Sequence, residues 1–282
     1  MVQRLWKIGD RVLDLSHHGV IMGVLNVTPD SFSDGGEHFD SQKAVEHALA
    51  MADAGAEIVD VGGESTRPRS QPVSPEEEAR RVIPVIEAIK SRSDVTISID
   101  TSKSEVADAA ISAGATIVND VTGGRADREM LPLVNRRGVG VVVMHMQGTP
   151  QTMQVNPHYD DVVGEVANFF RQQYACALDC GIDPMAIAFD PGIGFGKTLA
   201  HNLELLAQVQ QLRVHDRPLV IGVSRKSFLS KVTGGTDMAS RVSATAALTA
   251  VLWTRGARVF RVHDVRENVA ALRAAEAMVG TE

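Results

Sequence analysis

Short runs of apolar, largely β-branched residues recur along the chain and are bounded by turn-forming or polar residues. Runs of this length and composition are typical of strands that are buried on both faces of a parallel sheet. We predict eight strands, at residues 20–26, 57–61, 95–100, 116–119, 140–144, 186–190, 219–223 and 259–262.

Most of the predicted strands are separated by segments in which apolar residues recur with helical spacing. These segments cover residues 42–54, 75–90, 104–113, 160–178, 199–211 and 240–254. Gly55, Gly114, Gly181 and Gly256 each follow a helical run and precede a strand, as is typical of helix C-termini. No linker or change of composition divides the chain, so we predict a single α/β domain over residues 1–282.

Polar residues cluster where the predicted strands end. Seven of the eight runs lead directly into such a cluster, at Asn26, 64–67, 100–103, Asn119 with Asp120, Asp190, 224–226, and Arg261 with His263. Arg261 and His263 alternate along one strand and its exit, so their side chains point to the same side. In a closed (β/α)₈ TIM barrel all these ends meet at one rim, whereas an open doubly wound sheet would spread them along an edge. We therefore predict the TIM barrel, with the open sheet as the alternative.

Composition excludes several classes of protein. With 282 residues, 44% hydrophobic and 22% charged, the chain can bury a core and is not disordered. A net charge of -7 leaves no basic excess for nucleic acid or an anionic membrane, so any anion must be bound by a local cluster. Two cysteines and no continuous apolar leader favour a reducing, cytoplasmic location. Cys176 and Cys180 lie four residues apart without further metal ligands nearby, and we interpret them as buried, small apolar side chains.

Residues 192–198, with the sequence GIGFGKT, suggest a phosphate-binding loop. The spacing does not fit, because a Walker A motif needs glycine five residues before the Gly-Lys pair, where this chain has Pro191. The third glycine also comes one residue too early for a dinucleotide-binding fingerprint. We therefore predict no nucleoside triphosphate site here.

Two longer segments are more specific: residues 23–36 (GVLNVTPDSFSDGG) and 60–68 (DVGGESTRP), each a strand followed by a polar, glycine-rich loop. They resemble the signature regions of the dihydropteroate synthases, pterin-binding enzymes of folate biosynthesis. The resemblance continues in order through residues 99–103, 118–120, 144–148, 189–197, 222–227 and 261–264. It therefore extends over nearly the whole chain. One departure is Arg69, where the family commonly has glycine, which puts the course of this loop in doubt.

The resemblance implies that p-aminobenzoate is joined to (7,8-dihydropterin-6-yl)methyl diphosphate, with release of pyrophosphate. A carboxylate at the base of a pocket suits the adjacent N–H donors of a pterin, and Asp190 matches the family's residue for this role. The residues implied to bind the pterin diphosphate are Thr66, Asp100, Asn119, Asp190, Lys226, Arg261, Val262 and His263. Those implied to take part in catalysis are Asp100, Lys226, Arg261, His263 and Arg67.

The leaving diphosphate needs positive charge, which the resemblance assigns to Arg261 and His263, with Arg67 on a mobile loop. Asn26 resembles the family's Mg²⁺ ligand, which implies Mg²⁺ as the cofactor. The p-aminobenzoate subsite is implied at Thr66, Pro68, Phe195 and Ser227. Ser227 is expected at a helix N-terminus, which suits the substrate carboxylate. The loops at residues 28–38 and 64–71 are expected to close and exclude water.

Two alternatives share the pterin pocket: a folate:corrinoid methyltransferase and a catalytically silent pterin-binding paralogue. The first has no use for the anion-binding residues at 224–227 and 261–263, so their presence favours the synthase. The family further implies a homodimer, for which the late helices at 240–254 and 265–279 are apolar enough. A short hairpin at the N-terminus that covers the bottom of the barrel is consistent with residues 1–15.

Overall fold

The computed structural model describes residues 4–28, 37–66 and 70–279, and the side chains of residues 37–40 are not described. Within that part of the chain, eight parallel strands form the sheet predicted from the sequence. They are β3 (Val20–Asn26), β4 (Ile58–Gly62), β5 (Thr96–Asp100), β6 (Ile117–Asp120), β7 (Gly140–Met144), β8 (Ile187–Asp190), β9 (Val220–Ile221) and β10 (Val259–Val262).

The strands are ordered β8-β7-β6-β5-β4-β3-β10-β9. The two ends of this sheet meet, because Phe189 of β8 pairs in parallel with Leu219, which directly precedes β9. The backbone N–H of Phe189 also donates to the carbonyl oxygen of Pro218 at 2.9 Å. The sheet is therefore closed into a (β/α)₈ TIM barrel, as predicted, and the alternative of an open sheet is wrong.

Helices cover the outside of the barrel. Their bounds are α1 (Glu37–Asp53), α2 (Pro75–Lys90), α3 (Ser104–Ala113), α4 (Met130–Arg137), α5 (Val162–Asp179), α6 (Leu199–Ala207), α7 (Ser227–Thr233), α8 (Met238–Thr254) and α9 (Val265–Val279). The predicted bounds of α2, α3 and α9 are confirmed. The single helix predicted at 199–211 was wrong in part, because the chain leaves α6 and forms a separate 3-10 helix at Val209–Leu212.

The lower barrel is filled by apolar side chains from seven of its eight strands. One cluster joins Val20, Met22, Ile58, Ile117, Val142, Ala188, Val220 and Val259 to Trp6, Ile8 and Leu15. Trp6 and Ile8 belong to an antiparallel hairpin formed by β1 (Leu5–Ile8) and β2 (Arg11–Asp14). Trp6 is fully buried and its indole N–H donates to the carbonyl oxygen of Ala186 at 3.1 Å. The hairpin thus packs against the end of the barrel where the strands begin.

Several predictions concern the outer surface. Cys176 is exposed and Cys180 is half-buried, so the interpretation of both as buried side chains is wrong. Both lie at the end of α5, where the residue that faces the core is Ala177 between them. Among the helices of the described residues, none is long and apolar enough to cross a membrane. The homodimer and the cytoplasmic location stay predictions.

Candidate functional site

Four polar side chains from different strands meet inside the upper barrel. Asp60 of β4 is fully buried and lies two residues beyond Ile58, on the inward face. Its Oδ2 accepts from Arg261 Nε at 2.6 Å and from Asn119 Nδ2 at 3.0 Å. Arg261 Nη2 donates to Asp100 Oδ2, also at 2.6 Å. One guanidinium therefore links β4, β5 and β10, and we call Asp60, Asp100, Asn119 and Arg261 the floor.

Electrostatics of the floor are set by burial and by this shared cation. Burial raises the pKa of Asp100 to about 7, and Asp60 adds to the rise although Arg261 opposes it. The carboxylates of Asp60 and Asp100 raise the pKa of Arg261, against the effect of its own burial. Arg261 is thus a permanent cation, and in this arrangement its guanidinium is bound by the carboxylates of Asp60 and Asp100.

Asp190 ends β8 beside an open space in the barrel mouth. It is 5% exposed, and its Oδ1 accepts from the backbone N–H of Gly192 at 2.7 Å. Burial raises the pKa of this carboxyl, while Lys226 and the Gly192 N–H oppose the rise. A Cβ added at Gly222 would come no nearer than 3.9 Å to Asp190 Oδ2 or Arg261 Cβ. The missing side chain at Gly222 therefore leaves room for a flat group next to Asp190.

Lys226 faces the same space from the loop after β9. Its ammonium donates to the carbonyl oxygen of Ile193 and lies 4.7 Å from the centre of the Phe195 ring. Burial lowers the pKa of Lys226 to about 8, and the carboxylate of Asp190 opposes the shift. The preceding residue, Arg225, has a left-handed backbone with φ of 58°, which costs free energy in a non-glycine residue. Lys226 is thus held by a turn whose strain the surrounding contacts must offset.

His263 follows β10 and is oriented by Ser224, which follows β9. The Ser224 oxygen accepts from the backbone N–H of His263 at 3.0 Å and lies 3.0 Å from its Nδ1. The Ser224 hydroxyl can accept the first of these bonds and donate the second, and in that tautomer the ring proton of neutral His263 lies on Nε2. The ring is then suited to donate to an anion. Val262, between Arg261 and His263, is buried in the outer core and can offer an incoming group only its backbone.

The residues implied in the p-aminobenzoate subsite are placed only in part. Helix α7 begins at Ser227, so the expected helix N-terminus is confirmed. Phe195 is half-buried and packs on a cluster formed by Val121, Met144, Met146 and Met153. Thr66 is half-buried and precedes residues 67–69. Arg67, Pro68 and Arg69 lie outside the described residues, as does most of the loop predicted at 28–38.

Asn26 ends β3 at the rim and is half-buried. In the described ranges no group of three or more His, Cys, Asp or Glu side chains could hold a metal ion. An amide oxygen is a hard ligand, and Mg²⁺ commonly keeps several waters and shares the phosphate oxygens of its substrate. Asn26 therefore fits an ion that takes its other ligands from a diphosphate and water.

Some polar strand ends serve the structure of the rim. Asp120 accepts from Thr122 N, Thr122 Oγ1 and Gly124 N, so it caps the turn after β6. Arg225, part of the predicted anion-binding segment, forms an ion pair with Asp264. Lys103 binds the carboxylates of Glu64 and of the fully buried Glu78. These groups fix the loops and do not join the floor.

Asp60 is the main functional candidate that the sequence analysis missed. It stands in the middle of the run Ile58-Val59-Asp60-Val61, where a carboxylate is costly unless it is paired. Gly222 and Ser224 were noted only as members of the segment at 222–227, without a role of their own. An isolated acidic residue inside a predicted buried strand could therefore have identified Asp60 from the sequence.

Comparison with known proteins shows the class to which this barrel belongs. The sequence model of the family described as pterin binding enzyme matches residues 22–263, so the chain belongs to the pterin-binding enzymes. It is 47% identical over 270 residues to the dihydropteroate synthase of Escherichia coli K12, covering 96% of this chain and 95% of the relative. The dihydropteroate synthase of Mycobacterium leprae is 45% identical over 259 residues, with 90% of this chain and 91% of the relative covered. Within that class, the chain belongs to the dihydropteroate synthase family.

Solved structures agree in fold over the full length. The Xanthomonas albilineans dihydropteroate synthase with 4-aminobenzoic acid has a TM-score of 0.92 at 42% identity and 100% coverage of both chains. The same organism's enzyme in complex with 7,8-dihydropteroate has a TM-score of 0.89 at 40% identity, covering 99% of this chain and 100% of the other. The sequence resemblance to this family is therefore confirmed.

Proposed function

We propose that this protein joins p-aminobenzoate to (7,8-dihydropterin-6-yl)methyl diphosphate, giving 7,8-dihydropteroate and pyrophosphate. The observation that carries the proposal is that Asp190, Lys226 and the floor surround the space beside Gly222, which we call the slot. The chain also matches, over its length, a relative solved in complex with 7,8-dihydropteroate. In the reaction a C–N bond forms at the pterin methylene, the C–O bond to the diphosphate breaks, and the amine loses one proton.

The slot beside Gly222 suits the flat ring of a pterin. Asp190 presents its Oδ2 there, since Oδ1 is occupied by Gly192 N–H, and a carboxylate oxygen suits the N–H donors of an aminopyrimidinone edge. Lys226 offers N–H donors to ring acceptors, while Asp100 and Asn119 lie at the floor below. Binding the ring there would pair polar groups that are otherwise costly to bury.

Pterin affinity is expected to depend on the ionisation of Asp100. Because its pKa is raised to about 7, a proton added below that pH removes an acceptor. Between about pH 8 and about pH 6, affinity for a dihydropterin without diphosphate should fall by up to about tenfold. Calorimetric titration across this range measures the change, and Asp100→Asn should abolish the fall. Lys226, whose pKa is about 8, gains its proton over the same range and would change the affinity in the opposite direction. An equal slope in both proteins would assign the titration to another group, such as Asp190.

The diphosphate is assigned to the rim above the slot. His263, with its proton directed to Nε2 by Ser224, can donate to a phosphate oxygen, and Arg67 is assigned as a further cation from its loop. Arg261 is bound to two carboxylates, so it would act on the leaving group chiefly through its charge, unless the substrate draws it away. Mg²⁺ held by Asn26 would neutralise charge on the diphosphate oxygens.

His263→Ala is expected to weaken binding of the pterin diphosphate by about tenfold and leave binding of a pterin without diphosphate unchanged. The reason is that one hydrogen bond to a charged group is lost while the slot stays intact. Calorimetry with both ligands measures the difference. His18→Ala, whose side chain is 72% exposed near the end of α9, is the control and should change neither. Equal weakening of both ligands would contradict the role given to His263.

The p-aminobenzoate is assigned to the side of the slot near Phe195, Ser227 and Thr66, and Pro68 is added from the family resemblance alone. The Phe195 ring lies against the Lys226 ammonium, so an aromatic ring bound here would stack near the reacting carbon. An aniline nitrogen is a weak nucleophile, and placing it at the pterin methylene supplies most of what the attack requires.

The proposal is tested by incubating purified protein with Mg²⁺ and the two substrates and following the release of pyrophosphate. Release that needs both p-aminobenzoate and the pterin diphosphate supports the synthase. Tight pterin binding without release would favour the silent paralogue instead. The relatives compared here are named dihydropteroate synthases and give no support to the methyltransferase.

A further inference from the structure

The glycine-rich segment at 192–198 packs on the loop that follows β7. Gly192 and Gly196 have φ of 63° and 62°, which favours glycine. A Cβ on Gly192 would overlap the carbonyl oxygen of His145, and one on Gly196 would lie 2.6 Å from that of Gln147. The glycines therefore allow two backbone segments to lie directly against each other.

Lys197 ties these two segments together from the inside. It is 3% exposed, and its Nζ lies 3.0 Å from Phe195 O, 3.0 Å from His145 Nδ1 and 3.4 Å from His145 O. An ammonium has three donors and no acceptor, so these three acceptors match it in number. Lys197 is thus held by neutral groups of both loops, with no carboxylate of the described residues in direct contact, and burial lowers its pKa to about 7.

His145 completes this arrangement as an acceptor. Burial, together with the charges of Lys197 and Arg125, lowers the pKa of His145 to about 2, so the ring is neutral. Its Nδ1 then accepts from Lys197. The ring itself is held edge-on by Phe169 at 4.9 Å between centroids. The orientation of His145 Nδ1 is therefore supported by Phe169 as well as by Lys197.

The position of Phe195 depends on the same contacts. Its carbonyl oxygen is held by Lys197, and its N–H donates to Gly192 O at 3.0 Å. Its side chain stands between the methionine cluster and the Lys226 ammonium. Both backbone hydrogen bonds of Phe195 are therefore made within the segment at 192–198, which Lys197 holds in place.

We infer that Lys197 is a positioning residue, which holds the backbone of Phe195 so that its ring forms one wall of the p-aminobenzoate subsite. The inference rests on the proposed function for the identity of the ligand at that wall. Lys197 acts through Phe195 and does not itself touch the substrate. Its loss is therefore expected to affect p-aminobenzoate more than the pterin.

Lys197→Met tests this role, because it keeps an unbranched chain and removes all three donors. The KM for p-aminobenzoate should rise by about tenfold or more, while the Kd of the pterin diphosphate, by calorimetry, changes less than about threefold. Tyr159→Phe is the matched control, since it removes a buried hydrogen bond of 2.9 Å to Gly196 O in the same segment but leaves Phe195 O bound. It should change neither value by more than about threefold.

Equal changes in the two constants, or no change in either, would overturn the inference. If Lys197→Met does not fold, Lys197→Arg keeps a cation that cannot reach the same three acceptors and should show the same split. Failure of both to fold, while Tyr159→Phe folds, would assign Lys197 to stability alone and also overturn it. If the wild type forms no dihydropteroate, the proposed function fails, and p-aminobenzoate binding by calorimetry then decides on Lys197.

Discussion

Asp190→Asn is expected to weaken binding of a dihydropterin by about a hundredfold or more. The amide can keep its oxygen towards the Gly192 N–H, which places its NH₂ group where Oδ2 stood. That group would face the N–H donors of the pterin, so a charge-assisted pair is replaced by two opposed donors. Calorimetric titration of the pterin measures the loss.

The same substitution should leave the fold intact. Burial raises the pKa of Asp190, so the ionised carboxylate is less favourable in the folded chain than in water, and a neutral amide avoids that cost. The free energy of unfolding should therefore not fall. Asp183→Asn, at the opposite end of the barrel, is the control and should bind pterin like the wild type. Unchanged affinity in Asp190→Asn would remove Asp190 from the pterin site.

Asp60→Leu is expected to lower the free energy of unfolding by about 3 kcal/mol. It removes the acceptor shared by Arg261 and Asn119, and leaves a buried guanidinium with Asp100 as its remaining partner in the floor. Urea unfolding measures the change. Asp60→Asn keeps one acceptor and should cost less than Asp60→Leu.

An exposed ion pair is the matched control for Asp60. Asp108 lies 3.1 Å from Arg137 and its side chain is 55% exposed, so Asp108→Asn should cost no more than about 0.5 kcal/mol. If Asp60→Leu were as stable as this control, the floor would not be a network that holds the upper barrel together. The positions of the floor residues would then be fixed by backbone packing alone.

The pattern of apolar and polar residues along the sequence was enough to predict most strands and helices of the barrel. Strands β3, β7 and β10 have the predicted bounds, because β3 ends in the polar residue Asn26 and the other two are followed directly by His145 and His263. Strand β9 is shorter than predicted and covers only Val220–Ile221. Helix α4 was missed because it is short and contains Pro132 near its start, and for α7 only the N-terminus at Ser227 was predicted.

The contacts between side chains of the site could not be predicted in the same way. Asp60 and Arg261 are 201 residues apart, and their pairing arises only when β3 brings β4 and β10 together. The sequence predicted that Arg261 lies at the rim. It did not predict that the carboxylates of Asp60 and Asp100 would bind its guanidinium. The contact of Lys197 with His145, 52 residues away, likewise depends on two loops packing backbone to backbone.

Formation of dihydropteroate is the most direct test of the account. Purified protein is incubated with Mg²⁺, the pterin diphosphate and isotopically labelled p-aminobenzoate, and the product is identified by mass spectrometry beside a parallel Asp190→Asn sample. The account predicts labelled dihydropteroate from the wild type, none when either substrate is omitted, and a strong reduction in the variant. No labelled product from a wild type that binds the pterin diphosphate tightly would contradict it.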